Sequence, residues 1–180
     1  MIFRLSHALN VKIKAGPVRA LPLNENPFAD WSAHVFIADR TQYVLLSNTK
    51  SLYSTVMYGK GITNDSNFID RALSSIREFM DADGQEFTYR RLIAPACTSV
   101  CFARALNRSV TGSMKELILH ATDWLTEGDL SPHDVGFRLN DVLLSALAKD
   151  ATDQYRKPRE AVTSLLSVTG NEPERKESKP

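Results

Sequence analysis

The stretch W-S-A-H-V-F-I-A-D-R-T-Q-Y-V-L-L-S-N-T-K-S-L-Y-S-T-V-M-Y, residues 31–58, decides the fold. Its first seven residues alternate as in a strand, with Trp, Ala, Val and Ile on one side. Asp39 and Arg40 form a turn, and the nearly continuous apolar run at 42–47 is typical of a strand covered on both faces. Residues 52–58 are rich in β-branched and aromatic side chains, which favours a third strand, with a short helix as the alternative. We therefore expect an antiparallel meander.

Other elements are predicted around this meander. Short apolar segments at 2–5 and 98–103 indicate further strands. Apolar residues recur at helical spacing near 64–81, 110–127 and 158–168, so each of these segments forms a helix with one buried face. The sequence thus predicts an α+β fold: a mostly antiparallel sheet of about four or five strands, covered by three or more helices.

Length and composition predict one domain, residues 1–169, and a disordered tail, residues 170–180. The chain has 180 residues, of which 43% are hydrophobic and 24% are charged, as in ordinary globular proteins. The tail, G-N-E-P-E-R-K-E-S-K-P, has almost no apolar side chain to bury, so we expect it to remain unfolded.

The charge balance and the hydropathy of the chain limit which nucleic acids and membranes it can bind. The 22 basic and 21 acidic residues nearly cancel, so no overall field attracts nucleic acid or an anionic membrane. A local basic patch would still bind nucleic acid, which is therefore not excluded. The apolar runs are far shorter than the roughly 18 residues that a membrane helix requires. The start, M-I-F-R-L-S-H, lacks the apolar segment of a secretory signal. We expect a cytoplasmic protein without membrane contact.

A polar turn before the helix near residue 110 is the best candidate site. Asn107, Arg108 and Ser109 offer an amide, a guanidinium and a hydroxyl beside a helix N-terminus, where free N–H groups favour an anion. Gly112 and Ser113 would add backbone N–H groups. Gly112 also costs the helix about 1 kcal/mol relative to Ala, which suggests the close approach of another backbone or a ligand. The turn thus predicts an anion site.

A structural interpretation of the same turn remains open. In it Ser109 is the N-cap, Asn107 closes a turn and Arg108 pairs with a carboxylate elsewhere.

Complete catalytic and metal-binding motifs are absent, so the sequence leaves open whether the protein is an enzyme. The four histidines lack metal-ligand spacing, and Cys97 and Cys101 have no companion ligands. We predict neither a metal nor a cofactor. The G-K-G-I-T segment at 59–63 departs twice from the phosphate-loop pattern. His34 can act as a general base or acid because its pKa lies near neutrality, although a structural histidine fits the same pattern.

Several segments resemble one family. The matching segments are R-L-S at 4–6, N-P-F-A-D-W-S-A-H at 26–34, R-x-Q-Y-x-L-L at 40–46, N-R-S-V-T-G-S-M at 107–114, S-P at 131–132, R-L-N at 138–140 and P-R-E-A at 158–161. On these segments the chain resembles the bacterial family known as domain of unknown function 6933. Members often carry Asn after G-S-M, where this chain has Lys115. The resemblance implies a single-domain extent and no particular activity.

Three hypotheses follow. The first is a non-catalytic intracellular binding or interaction module whose polar cluster recognises an anionic group on a small ligand, nucleic acid or protein partner. The alternative is a small phosphoester hydrolase or nuclease, with His34 as the base and Arg108 stabilising developing charge. In the third hypothesis the cluster is purely structural. The candidate ligand-binding residues are His34, Arg40, Asn48, Asn107, Arg108, Ser109, Gly112 and Ser113.

Overall fold

The computed structural model describes residues 1–128, 130–148 and 155–169. The strands are β1 (Ile2–Leu5), β2 (Asp30–Ala38), β3 (Thr41–Asn48), β4 (Ser54–Tyr58) and β5 (Cys101–Arg104). The helices are α1 (His7–Ile13), α2 (Asp65–Ala82), α3 (Glu86–Thr88), α4 (Arg108–Thr126), α5 (Pro132–Leu139) and α6 (Pro158–Thr169). The tail predicted to be disordered lies outside the described residues. Within them, no helix is long and apolar enough to cross a membrane.

The five strands form one sheet in the order β4-β3-β2-β1-β5. β2, β3 and β4 form the expected antiparallel meander, with eight residue pairs between β2 and β3 and five between β3 and β4. β1 pairs in parallel with β2 on one side and with β5 on the other, through four residue pairs each. The predicted α+β fold with a mostly antiparallel sheet is therefore confirmed, and two short parallel ladders complete the sheet.

Helices cover both faces of the sheet. One face packs against α1, α2 and α6, in a core that includes Phe3, Trp31 and Phe68. The opposite face packs against α4 and α5, in a second core that includes Leu45 and Leu117. Because side chains alternate along each strand, neighbouring strand residues contribute to different cores. The sheet is thus the middle of three layers.

The open edge of the sheet, at β4, is partly closed by a side chain of α5. Asn140, the C-cap of α5, accepts a hydrogen bond from the Ser54 N–H at 2.7 Å and donates one to the Ser54 carbonyl at 2.9 Å. Both residues are fully buried. The amide of Asn140 therefore takes the place of a neighbouring strand at this point.

The helices that follow β1 and β5 leave the sheet on opposite faces, although the two strands are adjacent and parallel. α1, after β1, buries Leu9 and Ile13 in the first core, whereas α4, after β5, buries Met114 and Leu117 in the second. Such a divergence opens a crevice beyond the carboxyl ends of the two strands, which is a preferred place for ligands. The fold therefore indicates where a site would lie.

Candidate functional site

A cavity of about 740 Å³ occupies the crevice beyond β1 and β5. Its walls come from the end of β1, the start of α1, the middle of β2, the end of β5, the first turns of α4 and the loop after α1. Small-molecule sites typically measure about 300–1,000 Å³. Position and volume together make this cavity the candidate site.

The inner wall of the cavity contains a buried ion pair between β1 and β2. Arg4 Nε lies 2.7 Å from Asp30 Oδ1, and Arg4 Nη2 lies 2.8 Å from Asp30 Oδ2. The remaining N–H groups of Arg4 donate to the carbonyls of Leu21 at 3.0 Å, Pro22 at 2.7 Å and Arg104 at 3.4 Å. All five guanidinium N–H groups are therefore engaged, and Arg4 fixes the loop beside the cavity instead of offering donors to a ligand.

His34 lines the cavity from β2 and is half-buried. Burial and the nearby Lys115 ammonium lower the pKa of His34 below its ordinary value of 6.5. The imidazole is consequently neutral at pH 7, when one ring nitrogen accepts a hydrogen bond or a proton. None of the described residues forms a hydrogen bond with this ring, so its polar atoms remain available in the crevice.

Three exposed cationic side chains, those of Arg104, Arg108 and Lys115, lie at the solvent side of the crevice, which we call its opening. Arg104 lines the cavity, whereas Arg108 and Lys115 line an adjoining depression of about 560 Å³ that shares Ala105 and Thr111 with it. Of the described residues, no Asp or Glu lines either space. Clustered cations without a carboxylate create a positive local potential. The crevice therefore favours an anion even though the chain as a whole is nearly neutral.

Asn107 begins α4 as its N-cap. Its Oδ1 accepts a hydrogen bond from the Val110 N–H at 2.9 Å, and its carbonyl accepts one from Thr111 Oγ1 at 2.9 Å. This geometry corrects the structural interpretation, which assigned the cap to Ser109; that residue lies exposed in the first turn. N–H groups of a first helical turn have no intrahelical acceptor, so the turn adds donors near the cations.

The remaining residues of the turn differ in exposure. Arg108 is exposed, and no carboxylate in the described part of the chain forms an ion pair with it, in contrast to the pairing that the structural interpretation required. A Cβ built on Gly112 would meet no atom within 4 Å, so the expected approach of another backbone was wrong, while the approach of a ligand stays a prediction. Gly112 lines the depression beside Arg108, and Ser113 is buried.

Two other predicted residues lie away from the turn. Arg40 is exposed in the β2–β3 turn and lines neither the cavity nor the depression. Asn48 is buried; its Nδ2 donates to the Pro27 carbonyl at 2.8 Å, and its Oδ1 accepts from the Ser51 N–H at 3.0 Å. The structure therefore brings His34 close to the start of α4, while Asn48 stabilises the β3–β4 turn.

Three residues at the crevice were missed by the sequence reasoning. Arg108 and Lys115 are seven positions apart, which places both on one side of a helix, so this spacing was a usable signal for Lys115. Arg4 stands in a short apolar strand, where a charged side chain requires a partner. Arg104 carried no comparable signal, because its position depends on where β5 ends.

Metal ligands do not gather in the described residues, which contain no group of three or more His, Cys, Asp or Glu side chains that could hold an ion. Cys97 is half-buried and Cys101 is exposed, and both are free thiols. Burial raises the pKa of Cys97, so its thiol is protonated at neutral pH. The chemistry of the crevice is that of cations, the imidazoles of His7 and His34, and backbone N–H groups.

Comparison with known proteins tests the family resemblance that the segment N-R-S-V-T-G-S-M at 107–114 suggests. No curated protein and no solved structure matches the chain. A family model matches residues 2–161, which include every element that lines the crevice. The chain belongs to the family described as Domain of unknown function (DUF6933).

Proposed function

We propose that this protein is a non-catalytic, intracellular binding module that holds an anionic ligand in the crevice beyond β1 and β5. The observation that carries the proposal is the combination of a 740 Å³ cavity with a cationic opening that no described carboxylate lines. Arg108 and Lys115 are exposed and Arg104 uses only its Nε, on the Val18 carbonyl at 3.1 Å. These side chains therefore have donors free for a phosphate or carboxylate group.

A thermal-shift screen of the full chain tests this function. The panel contains inorganic phosphate, phosphate esters, nucleotides, carboxylates and short oligonucleotides. A ligand at about one hundred times its dissociation constant adds roughly 2.7 kcal/mol to the free energy of unfolding, which raises the melting temperature measurably. We expect an anion to produce this shift and Arg108→Ala to abolish it.

The control for Arg108→Ala is Arg77→Ala, which removes another exposed arginine. Arg77 lies on α2, on the opposite face of the sheet, and forms an exposed ion pair with Asp81 at 3.7 Å. If both variants lose the shift equally, the effect is one of net charge and the crevice is not the site. If no anion of the panel shifts the melting temperature, the proposed function is wrong.

A second candidate function, hydrolysis of a phosphoester, is favoured by the state of His34. Its lowered pKa keeps the imidazole unprotonated at neutral pH, as a general base requires. Arg108, in the depression that adjoins the cavity, would stabilise the charge that develops on the phosphoryl oxygens. This proposal differs from simple binding because it requires turnover.

Turnover of a chromogenic phosphodiester separates the two functions. Hydrolysis that is lost in His34→Gln, while the ligand-induced thermal shift persists, would favour the hydrolase. A shift without turnover in the wild-type protein would favour the binding module. Asn107→Ala addresses the structural hypothesis: it should lower the melting temperature through loss of the N-cap, and an unchanged ligand shift would restrict that residue to capping.

A further inference from the structure

We propose that the ligand is an amphipathic acid, with an aliphatic body inside the cavity and a single anionic head group at the cationic opening. This inference rests on the proposed function, because it names the class of anion that the same crevice holds. It follows from how apolar and polar groups are distributed along the cavity wall.

The interior of the cavity is aliphatic. Its apolar lining residues are Leu5, Ala8, Pro17, Val18, Ala33, Ala105, Val110 and Met114. Among the described lining residues there is no Phe, Tyr or Trp. Nucleobases and other aromatic ligands are held by stacking on such rings or, less extensively, on histidine and arginine side chains, and the wall offers only the latter, such as His34 and Arg104. The lining therefore favours a saturated chain over a nucleotide.

Three polar side chains of the wall are already hydrogen bonded within the protein. Arg4 uses all five N–H groups, Ser32 Oγ lies 2.9 Å from Thr49 Oγ1, and Ser6 Oγ accepts from the Leu9 N–H at 3.3 Å. A sugar or another polyhydroxylated body would bury hydroxyl groups with few free partners, which opposes binding. An aliphatic body has no such groups to satisfy.

One buried acceptor in the wall has no partner. Asn10 Nδ2 donates to the Gly16 carbonyl at 3.0 Å, whereas Asn10 Oδ1 has no hydrogen-bond partner among the described residues. Because this oxygen is itself buried, it does not offer an acceptor to a ligand in the cavity.

Free polar groups are instead concentrated at the opening. Arg104 and His7 line the cavity with exposed side chains, and Lys115 is close enough to the half-buried His34 to lower its pKa. A volume of 740 Å³ greatly exceeds what an inorganic anion fills. A ligand with one charged end and an apolar remainder matches this distribution, because its head group reaches the cations while its chain fills the interior.

Isothermal titration calorimetry of the full chain tests the inference with a series of straight-chain acids from acetate to dodecanoate. Alkyl phosphates of matched length, inorganic phosphate and adenosine monophosphate complete the series. Each methylene that enters the cavity should raise the affinity about fourfold until the cavity is full. We expect decanoate to bind at least a hundredfold more tightly than acetate, and alkyl phosphates to follow the same length dependence.

Matched variants separate the two ends of the ligand. Val110→Ser places a hydroxyl in the aliphatic wall and should weaken long acids several-fold more than short ones. Val11→Ser, at a valine that is 62% exposed on α1 and lies outside the cavity, should leave all affinities unchanged. Lys115→Gln should weaken every acid by a similar factor and preserve the length dependence, because it alters only the opening.

The outcomes distinguish this inference from the function on which it rests. If short anions or adenosine monophosphate bind as tightly as decanoate, and that binding requires Arg108, the binding function stands and the amphipathic ligand is wrong. If no anion binds, both the proposed binding function and the amphipathic ligand are wrong. The last experiment measures binding to anionic phospholipid vesicles. Binding to vesicles without binding to free acids would identify a membrane surface instead of a free ligand and would overturn the inference.

Discussion

Arg4 and Asp30 lie on neighbouring parallel strands and form a two-pronged ion pair in which neither side chain is exposed to solvent. Removing one partner of such a pair leaves the other charge buried and uncompensated, at a typical cost of about 3–5 kcal/mol. We therefore expect Arg4→Met to lower the free energy of unfolding by about that amount in urea denaturation. The double variant Arg4→Met, Asp30→Leu should recover part of the loss.

The control for Arg4 is Arg77→Met. Arg77 is 62% exposed and contacts Asp81 at 3.7 Å on the surface of α2. Exposed pairs contribute about 0–1 kcal/mol, so this change should be nearly neutral. Equal losses in the two variants would contradict a special role for the buried pair.

Stability should depend on pH through His34, whose pKa in the folded protein lies below its ordinary value of 6.5. As the pH falls below about 6.5, the unfolded chain takes up this proton before the folded protein does. The contribution of His34 to stability is therefore complete above pH 6.5 and decreases as the pH falls toward the folded-state pKa. Denaturation of the wild-type protein and His34→Gln at pH 7.5 and 5 measures the difference.

Replacement of Lys115 tests the cause of that shift. The Lys115 charge contributes to the lowered pKa of His34, after burial. Lys115→Gln should raise the pKa of His34 toward 6.5, as followed by an NMR titration of the imidazole. An unchanged titration would mean that burial alone lowers the pKa.

Two glycines should respond oppositely to substitution by alanine. A Cβ at Gly136 on α5 would lie 2.8 Å from Cε2 of the buried Phe79 ring, so Gly136→Ala should cost about 1–3 kcal/mol through overpacking. Gly112 on α4 has open space around it, so Gly112→Ala should add about 0.5–1 kcal/mol to helix stability. Thermal denaturation of both variants provides the comparison, and destabilisation by Gly112→Ala would contradict the open space.

Asn140→Ala should destabilise the sheet edge. The change leaves the N–H and carbonyl of Ser54 unpaired in a buried position, at about 1–3 kcal/mol for each group. Asn67→Ala, at an exposed position on α2, is the matched control and should be close to neutral. Size-exclusion chromatography would also show whether the opened edge promotes self-association. Full stability of Asn140→Ala would show that the amide does not substitute for a strand.

The local part of the fold was predictable from the sequence, because it depends on neighbouring residues. Alternation at 31–37 gave the first strand of the meander, and helical spacing gave α2, α4 and α6. His34 was selected for its pKa and Arg108 for its place before a helix, and the structure puts both at the crevice or the depression that adjoins it. Their roles in binding stay predictions.

The rest of the fold and of the candidate site depends on contacts between residues that are distant in the sequence. Arg4 and Asp30 are 26 positions apart, and only the parallel pairing of β1 with β2 makes them partners. The crevice likewise depends on the parallel pairing of β1 with β5, because the helices that follow these strands, α1 and α4, leave on opposite faces. Asn48 is a polar residue next to a turn, as a site residue could be, yet its hydrogen bonds join the β3–β4 turn to β2 and to the Pro27 carbonyl just before β2.

Every N–H group of Arg4 is hydrogen bonded within the protein. The inner wall of the cavity therefore tolerates substitution less well than the helix surface at its opening. Substitution of the inner wall disturbs the loop, the strand pairing and the buried charge together, so selection on ligand preference cannot easily act there. The adjoining depression on α4 carries exposed side chains, Arg108 and Lys115, which can be exchanged at little cost to the fold. Under the proposed binding function, a change of ligand preference would therefore arise on this helix surface while the scaffold remains constant.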